Sequence, residues 1–463
     1  NEIAGAITLS SNARINADAG SLKLSNASSL ALSTNTLNFG GAADIWVSGT
    51  ITGSGAITKD GGAATTLTLS GASSSYTGNI SVGTLGTPAA GILKVITSGS
   101  ALGTNAGTTT IYNGSALHIG DGTGITLADN ITVYGTGIGG AGVIRNLAGA
   151  DILSGLITLA SASRINSDAG TLTLNNPTKA IELSNNALNI GGTAGDVVLS
   201  GPINGTGDIT KDGGTATTLT LSANNNSGSG IYTGNIFIGT LGTPAAGILK
   251  VITNNNALGT TAGTTTIYNG SSLNIGDGTA ITVPENITIN GLGVSGAGGA
   301  IRNISGADVL SGLITLASAS RINSDAGSIS FTNATKALEL SNYALNIGGA
   351  GDVTISGLMN GSGDITKDGG NATTLTLSGN NNSGIGIYTG NINVGTVGTP
   401  AAGILKVITS NNALGTTAGK TTIYSGSALN IGDGTAITLP ENFDIYGTGI
   451  SSGGAVRNIS GTN

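Results

Sequence analysis

Apolar residues in this chain fall in short runs that alternate with polar ones. Thr66-Leu67-Thr68-Leu69-Ser70 and Thr109-Thr110-Ile111-Tyr112 show the pattern plainly. Residues two apart share one face of an extended strand, so a period of two predicts half-buried β-strands. Such runs, about four to six residues long, recur roughly every 8–12 residues between Gly-Gly, Asn-Gly and Asp-Gly turns. No amphipathic helical stretch of useful length interrupts them, and the chain reads as all-β.

Self-comparison reveals a long internal repeat. The string from Gly155 to Gly170 recurs from Gly312 to Gly327, with a near copy from Gly5 to Gly20. Thr-Pro-Ala-Ala-Gly-Ile-Leu-Lys-Val-Ile-Thr occurs three times, with its lysines at Lys94, Lys250 and Lys406. Ile-Thr-Lys-Asp-Gly-Gly sets Lys59, Lys211 and Lys367 in step with them. The repeat is about 155 residues, far longer than the usual solenoid unit, so each must hold several coils. The units are 1–150, 151–307 and 308–463. Asn458 to Asn463 matches Asn303 to Asp308, and Asn1 stands at the phase of Asp151 and Asp308. Two ends in phase, with no visible cap, predict a segment of a longer array or a protein that stacks end to end.

The copies also show which side chains point inward. Asn79-Ile80-Ser81-Val82, Asn235-Ile236-Phe237-Ile238 and Asn391-Ile392-Asn393-Val394 keep aliphatics two apart while the residue between them varies. Five residues separate Ser70 from Tyr76, but nine separate Ser222 from Tyr232 and Ser378 from Tyr388, which places a surface loop at a coil corner. A β-sandwich array has the same strand spacing. A parallel β-helix is preferred, because short aliphatic strands stack into a narrow core without large aromatics. At about 20–24 residues per coil and about 4.8 Å per rung, each unit makes about seven coils and three units a rod of order 100 Å.

Composition narrows the reading further. Among 463 residues there are 81 Gly, 7 Pro and no Cys, with 8% charged and 3% aromatic. Abundant Val, Ile, Leu and Ala exclude disorder, and Gly without a period of three excludes collagen. The net charge of −7 is spread thinly, with no basic stripe to neutralise phosphates, so nucleic acid is not an expected partner. No apolar stretch approaches membrane-spanning length, so no membrane insertion is expected. The lack of Cys fits export through an oxidising compartment and fits the cytosol almost as well.

One segment of each unit resembles the autotransporter-associated β-strand repeat of bacterial secreted passenger domains. The first copy runs from Ile57-Thr-Lys-Asp-Gly-Gly62 through Thr66-Leu-Thr-Leu-Ser-Gly71, Tyr76-Thr-Gly-Asn-Ile80 and Gly91-Ile-Leu-Lys-Val95 to Ala101-Leu-Gly103. The second runs from Ile209 to Gly259 and the third from Ile365 to Gly415. An extra Gly-Thr-Pro-Ala-Ala before the Gly-Ile-Leu-Lys-Val strand departs from the family pattern. The resemblance implies a right-handed parallel β-helix (β-solenoid), a bacterial source and exposure at the cell surface. It also implies an adhesin or stalk whose shared repeat carries no catalytic residues.

Candidate chemistry is sparse. His118 is the sole histidine, with Asn274 and Asn430 at its phase, which argues against a triad or a histidine metal site. Trp46, the sole tryptophan, has Val198 and Thr354 at its phase and is expected at an outward or edge position. Paired carboxylates with a nearby cation would mark a glycosidase or lyase. The candidates are Asp60, Asp212 and Asp368 beside their lysines, and Asp121, Asp277 and Asp433 in Gly-Asp-Gly turns. All six are expected to bond their own turns. Gly348 to Asp352 resembles a calcium-binding roll with the wrong Asp spacing, and Thr-x-Thr runs such as Thr66-Leu67-Thr68 read as scattered. Arg14, Arg164, Arg321, Arg145, Arg302 and Arg457 are expected to pair with Asp18, Asp168 and Asp325, along the surface or between rods. No catalytic, cofactor-binding or metal residue is expected. The sequence thus predicts a non-enzymatic structural module of a bacterial extracellular fibre, stalk or matrix, stacking on copies of itself or on adjoining repeats. The alternative is an adhesin or passenger segment that binds surface or host glycans.

Overall fold

The computed structural model describes every residue except Ser29, Pro88, Ala297, Asn371, Pro400 and Asn463. Pro88 and Pro400 of the Gly-Thr-Pro-Ala-Ala inserts, and Asn463 of the terminal match, therefore lie outside the described residues. The chain forms two compact units, Asn1–Gly234 and Asn235–Asn463. The division falls inside the second sequence repeat and not at a repeat boundary.

In the first unit three strands make one coil, and successive coils stack strand on strand into three parallel ladders. Ladder I is a nine-stranded sheet from Ala13–Asn16 and Leu37–Gly40 through Ile57–Lys59 to Ile203–Gly205. Ladder II rises from Glu2–Ile3 through Ser21–Leu24, Asp44–Val47, Thr66–Leu69, Gly91–Val95, Ser115–Ile119 and Ile144–Asn146 to Ile209–Lys211. Ladder III starts with Ile7–Thr8, Leu30–Ala31 and Ile51–Thr52 and ends with Asp196–Leu199 and Thr218–Leu221. The second unit is built the same way on three ladders, and its Ile314–Ser324 is long enough to serve two of them. Each unit is thus a parallel β-helix, and the sandwich alternative falls because every ladder pairing is parallel.

The core follows from alternation. Ile45, Leu67, Leu93, Leu117, Ile144 and Ile165 occupy one register position on successive rungs of ladder II, all buried. Each aliphatic lies on its like in the neighbouring coil, and burying one such side chain is worth about 1.5–3 kcal/mol.

Coil number differs from the expectation. Ladder I steps from Ile57 to Ile80, Thr109, Ile131, Ile157, Ile181 and Ile203, with spacings between 22 and 29 residues. Six coils therefore bring the chain to Ile203–Gly205. The copy of Ile57–Lys59 follows at Ile209–Lys211, already on ladder II against Leu188–Gly191. One repeat is six coils and a further face, not seven coils, because loops lengthen several of the coils. The second unit agrees: Ile236–Ile238 pairs with Thr264–Ile267, while its copy Ile392–Val394 stands on a different ladder, between Ile365–Lys367 and Lys420–Ile423.

Corners are finished with polar side chains. Among the described residues ladder III has no strand between Ile51–Thr52 and Thr126–Leu127 and continues through an isolated bridge, Gly53 to Tyr76, and through the Thr104 N–H donating to the Tyr76 carbonyl at 2.9 Å. Tyr76 is fully buried and its hydroxyl lies 3.0 Å from the Gly55 and Asn79 carbonyls. Ser73 Oγ accepts the Ile51 N–H there, and Asn225 and Asn381 do the same for Ile203 and Met359. Gly103, at φ +101°, passes directly beneath Tyr76, where a Cβ would meet the ring at 2.8 Å. The longer second and third corners form small antiparallel hairpins, Asn226–Ser227 with Gly230–Ile231 and Asn382–Ser383 with Gly386–Ile387.

Candidate functional site

The lysines and aspartates of the Ile-Thr-Lys-Asp motif point to opposite sides of the sheet. Alternation from inward Ile57 carries Lys59 inward too, and Lys59, Lys211 and Lys367 are 3%, 1% and 2% exposed. Lys59 Nζ donates to Thr65 Oγ1 at 2.7 Å and to the Ala90 carbonyl at 2.6 Å. Lys367 repeats this with Thr373 and Ala402 at 2.7 and 2.6 Å, and Lys211 donates to Thr217 at 2.6 Å. Burial pulls all three ammonium groups down to about 8, partly offset by nearby aspartates.

The partner aspartates are outside, and none of the three bonds its own turn. Asp60 is gripped by both terminal nitrogens of Arg14 at 2.5 and 2.7 Å. Asp212 is held likewise by Arg164, and Asp368 by Arg321. A planar guanidinium fork matches a carboxylate, which explains the capture across two rungs. Asp121, Asp277 and Asp433 do behave as turn residues. Asp121 Oδ1 accepts from the Thr123 N–H and hydroxyl, and its other oxygen from Thr97, holding the carboxyl below its usual range. Of the expected arginine pairs, Arg145–Asp168 and Arg302–Asp325 form. Asp18 lies near Arg14 without an ion pair, and Arg457 has none among the described residues.

Sequence reasoning missed a second set of buried charges. Asp129, Glu285 and Glu441 share one phase and are buried. Each accepts one hydroxyl, from Thr109, Thr265 and Thr421 respectively. The other carboxyl oxygen has no partner among the described residues. Desolvation pushes these groups up to about 7, 8 and 7. Asp151 and Asp308 are also buried with one bare oxygen, the other accepting a backbone N–H at 2.8 Å, and Asp308 is pushed up to about 6.

The outward faces carry ordered columns. On ladder I, Thr58, Ser81, Thr110, Thr132 and Thr158 stand in register on successive rungs. The run Thr66-Leu67-Thr68 is not part of this column: on ladder II Thr68 stands between Trp46 and Lys94. On ladder II the column reads Glu2, Lys23, Trp46, Thr68, Lys94, His118, Arg145. His118 is drawn down to about 4, first by burial and then by Arg145, so it is neutral at ordinary pH. Trp46 is 41% exposed, as its outward placement predicts. It borders an open groove of about 730 Å³ with Glu2, Lys23, Asp44, Thr68 and Lys94. Asp352, of the calcium-roll-like stretch, accepts the Thr374 N–H at 2.8 Å. Among the described residues no cluster of three or more His, Cys, Asp or Glu is placed to hold a metal ion. Nor is any helix among them long and apolar enough to cross a membrane.

Fold and surface together define a β-solenoid whose polar groups serve chiefly to join coil to coil. No family model, curated protein or solved structure matches the chain.

Proposed function

We propose that the chain is a non-enzymatic structural module of a bacterial extracellular fibre, stalk or matrix, in which repeats join rung on rung. One observation carries this reading: the seams between sequence repeats are built like any other rung. At the first seam Leu127 pairs with Leu153, Ile131 with Ile157 and Ile144 with Ile165, and Arg145 bonds Asp168 across it. At the second, Val283 pairs with Leu310, Ile287 with Ile314 and Ile301 with Ile322, and Arg302 bonds Asp325. Leu439, Phe443, Val456 and Arg457 stand at the first side's phase, and Ile3, Ile7, Ile15 and Asp18 at the second's. A further repeat, in the same chain or a second copy, finds the same contacts on offer. The bacterial and extracellular parts of the proposal rest on the family resemblance. Commitment of Asp60, Asp212 and Asp368 to arginines supports a structural use of the carboxylates.

Sedimentation of concentrated protein tests the reading. Wild type is expected to form end-to-end oligomers, Arg457→Glu to remain dispersed, and Arg457→Glu with Asp18→Arg to assemble again. Wild type that stays monomeric at all concentrations would overturn it.

A further inference from the structure

Trp46 stands where the other two repeats place Val198 and Thr354, so an indole borders the groove at this phase in one repeat only. The indole is fixed on both sides. Its Nε1 donates to Ser70 Oγ at 2.8 Å, and Lys23 Nζ sits 4.9 Å from the ring centroid. The ring's one polar atom is thus used within the protein, while two-fifths of the residue stays in contact with solvent. A rigid aromatic exposed on a flat sheet offers apolar area at little entropic cost to a ligand with an apolar face.

The groove's polar groups define the ligand further. Among the lining side chains are Lys23 and Lys94, Glu2 and Asp44, two cations and two carboxylates, with the Thr68 hydroxyl; one Asp44 oxygen already accepts the Thr66 N–H at 2.7 Å. Lys94 takes no hydrogen bond or ion pair among the described residues, and Lys23 is matched by Glu2 at 3.9 Å. Balanced charge gives no net attraction for an anion. Interspersed donors and acceptors instead suit a ligand that is donor and acceptor at every position, which is the chemistry of a polyol. The volume of about 730 Å³ lies within the span of small-molecule sites.

We propose that this groove binds a neutral hexopyranose chain laid along the strand stack, with one sugar's C–H face on Trp46. The next sugar, one or two rungs on, takes hydrogen bonds from Lys94, while Asp44 and Glu2 accept from sugar hydroxyls. A pyranose with its glycosidic link is about as long as one rung spacing, about 4.8 Å, so successive sugars fall in step with successive strands. This site goes beyond the assembly reading: Trp46 and Lys94 lie two and four rungs from Glu2, the one groove residue used here that stands on a seam rung, and the sugar titration reads binding whether or not chains stack.

Because Trp46 is the sole tryptophan, its fluorescence in the full chain reports the site directly. Titration with cello-, manno- and galacto-oligosaccharides is expected to give a saturable emission shift with at least one of them. Calorimetry with that sugar is expected to show Trp46→Ala binding about tenfold weaker or worse, Trp46→Phe close to wild type and Lys94→Met several-fold weaker. Circular dichroism checks that each variant keeps its β-sheet, and Trp46→Phe preserves an aromatic should the alanine variant unfold. No saturable shift with any neutral sugar would overturn the proposal. So would a Trp46→Ala protein that binds like wild type, or tighter, salt-sensitive binding of oligogalacturonate.

Discussion

Lys59 and Asp129 are both ionisable groups buried in the same unit, yet they end in opposite states. The lysine ammonium meets a hydroxyl and a carbonyl, and Thr65 Oγ1 passes the bond on to the Gly62 carbonyl at 2.8 Å. It therefore ties the Gly62 corner to the loop before Gly91–Val95, one coil on. Asp129 meets one hydroxyl and leaves an oxygen bare. The lysine works as a fastener across coils, whereas the acid is best accommodated with its proton on. Burial moves both groups toward their neutral forms, so both charges are penalised; what differs is how many partners the neighbouring coil supplies to offset that cost.

The comparison sets the pH dependence of stability, the largest effect expected. The lysines have folded values near 8 against 10.5 when free, so between those limits the unfolded chain holds more protons and stability rises with pH. Asp129, Glu285 and Glu441, near 7, 8 and 7 against 3.8 or 4.5, do the reverse. There the folded chain holds more protons, and stability falls as pH climbs to about 8. His118, near 4 against 6.5, opposes the acid limb in one repeat only. Urea midpoints should pass through a minimum near pH 8, with a swing of several kcal/mol. A midpoint that is flat, or highest there, would break the comparison.

Lys367→Ala should cost about 3 kcal/mol, from the cavity and the two acceptors it orphans. Lys367→Met, which fills the space, should recover part of that; full recovery would mean that the ammonium fastens nothing. Glu285→Gln should stabilise by about 2 kcal/mol at pH 9 and change little at pH 5, since only the ionised carboxylate is penalised. Equal gains at both pH values would point to packing instead. Smallest, Arg321→Lys should lose about 1 kcal/mol as a forked grip on Asp368 becomes a single contact. Thermal melts at low and high salt would show whether that loss is electrostatic.

Alternation made the strands and the inward aliphatics legible in the sequence, and internal copies made the repeat legible. The same alternation carries Lys59 inward from Ile57, but the lysine enters the sequence reading only as a neighbour of Asp60, with no side drawn for it. Asp129, Glu285 and Glu441 left a signal too, an acid at one phase in a chain otherwise poor in charge. Their burial was not legible, because it depends on which coil lies above. Pairings such as Arg14 with Asp60 and the column from Thr58 to Thr158 likewise depend on register between coils. Register is set by loop lengths, and a single sequence does not reveal how many loop residues a corner absorbs.

A repeat that ends one face past a whole number of coils has a further consequence. Were one repeat lost or duplicated, the new junction would carry the same seam residues, and the ladders would continue without a mismatch. Everything beyond the junction would nonetheless be turned to a different side. Repeat number would then act as a compass setting: a change in length that folding tolerates also redirects the corner hairpins and any bound sugar chain. Variation in copy number among such chains would be variation in the direction of display as much as in reach.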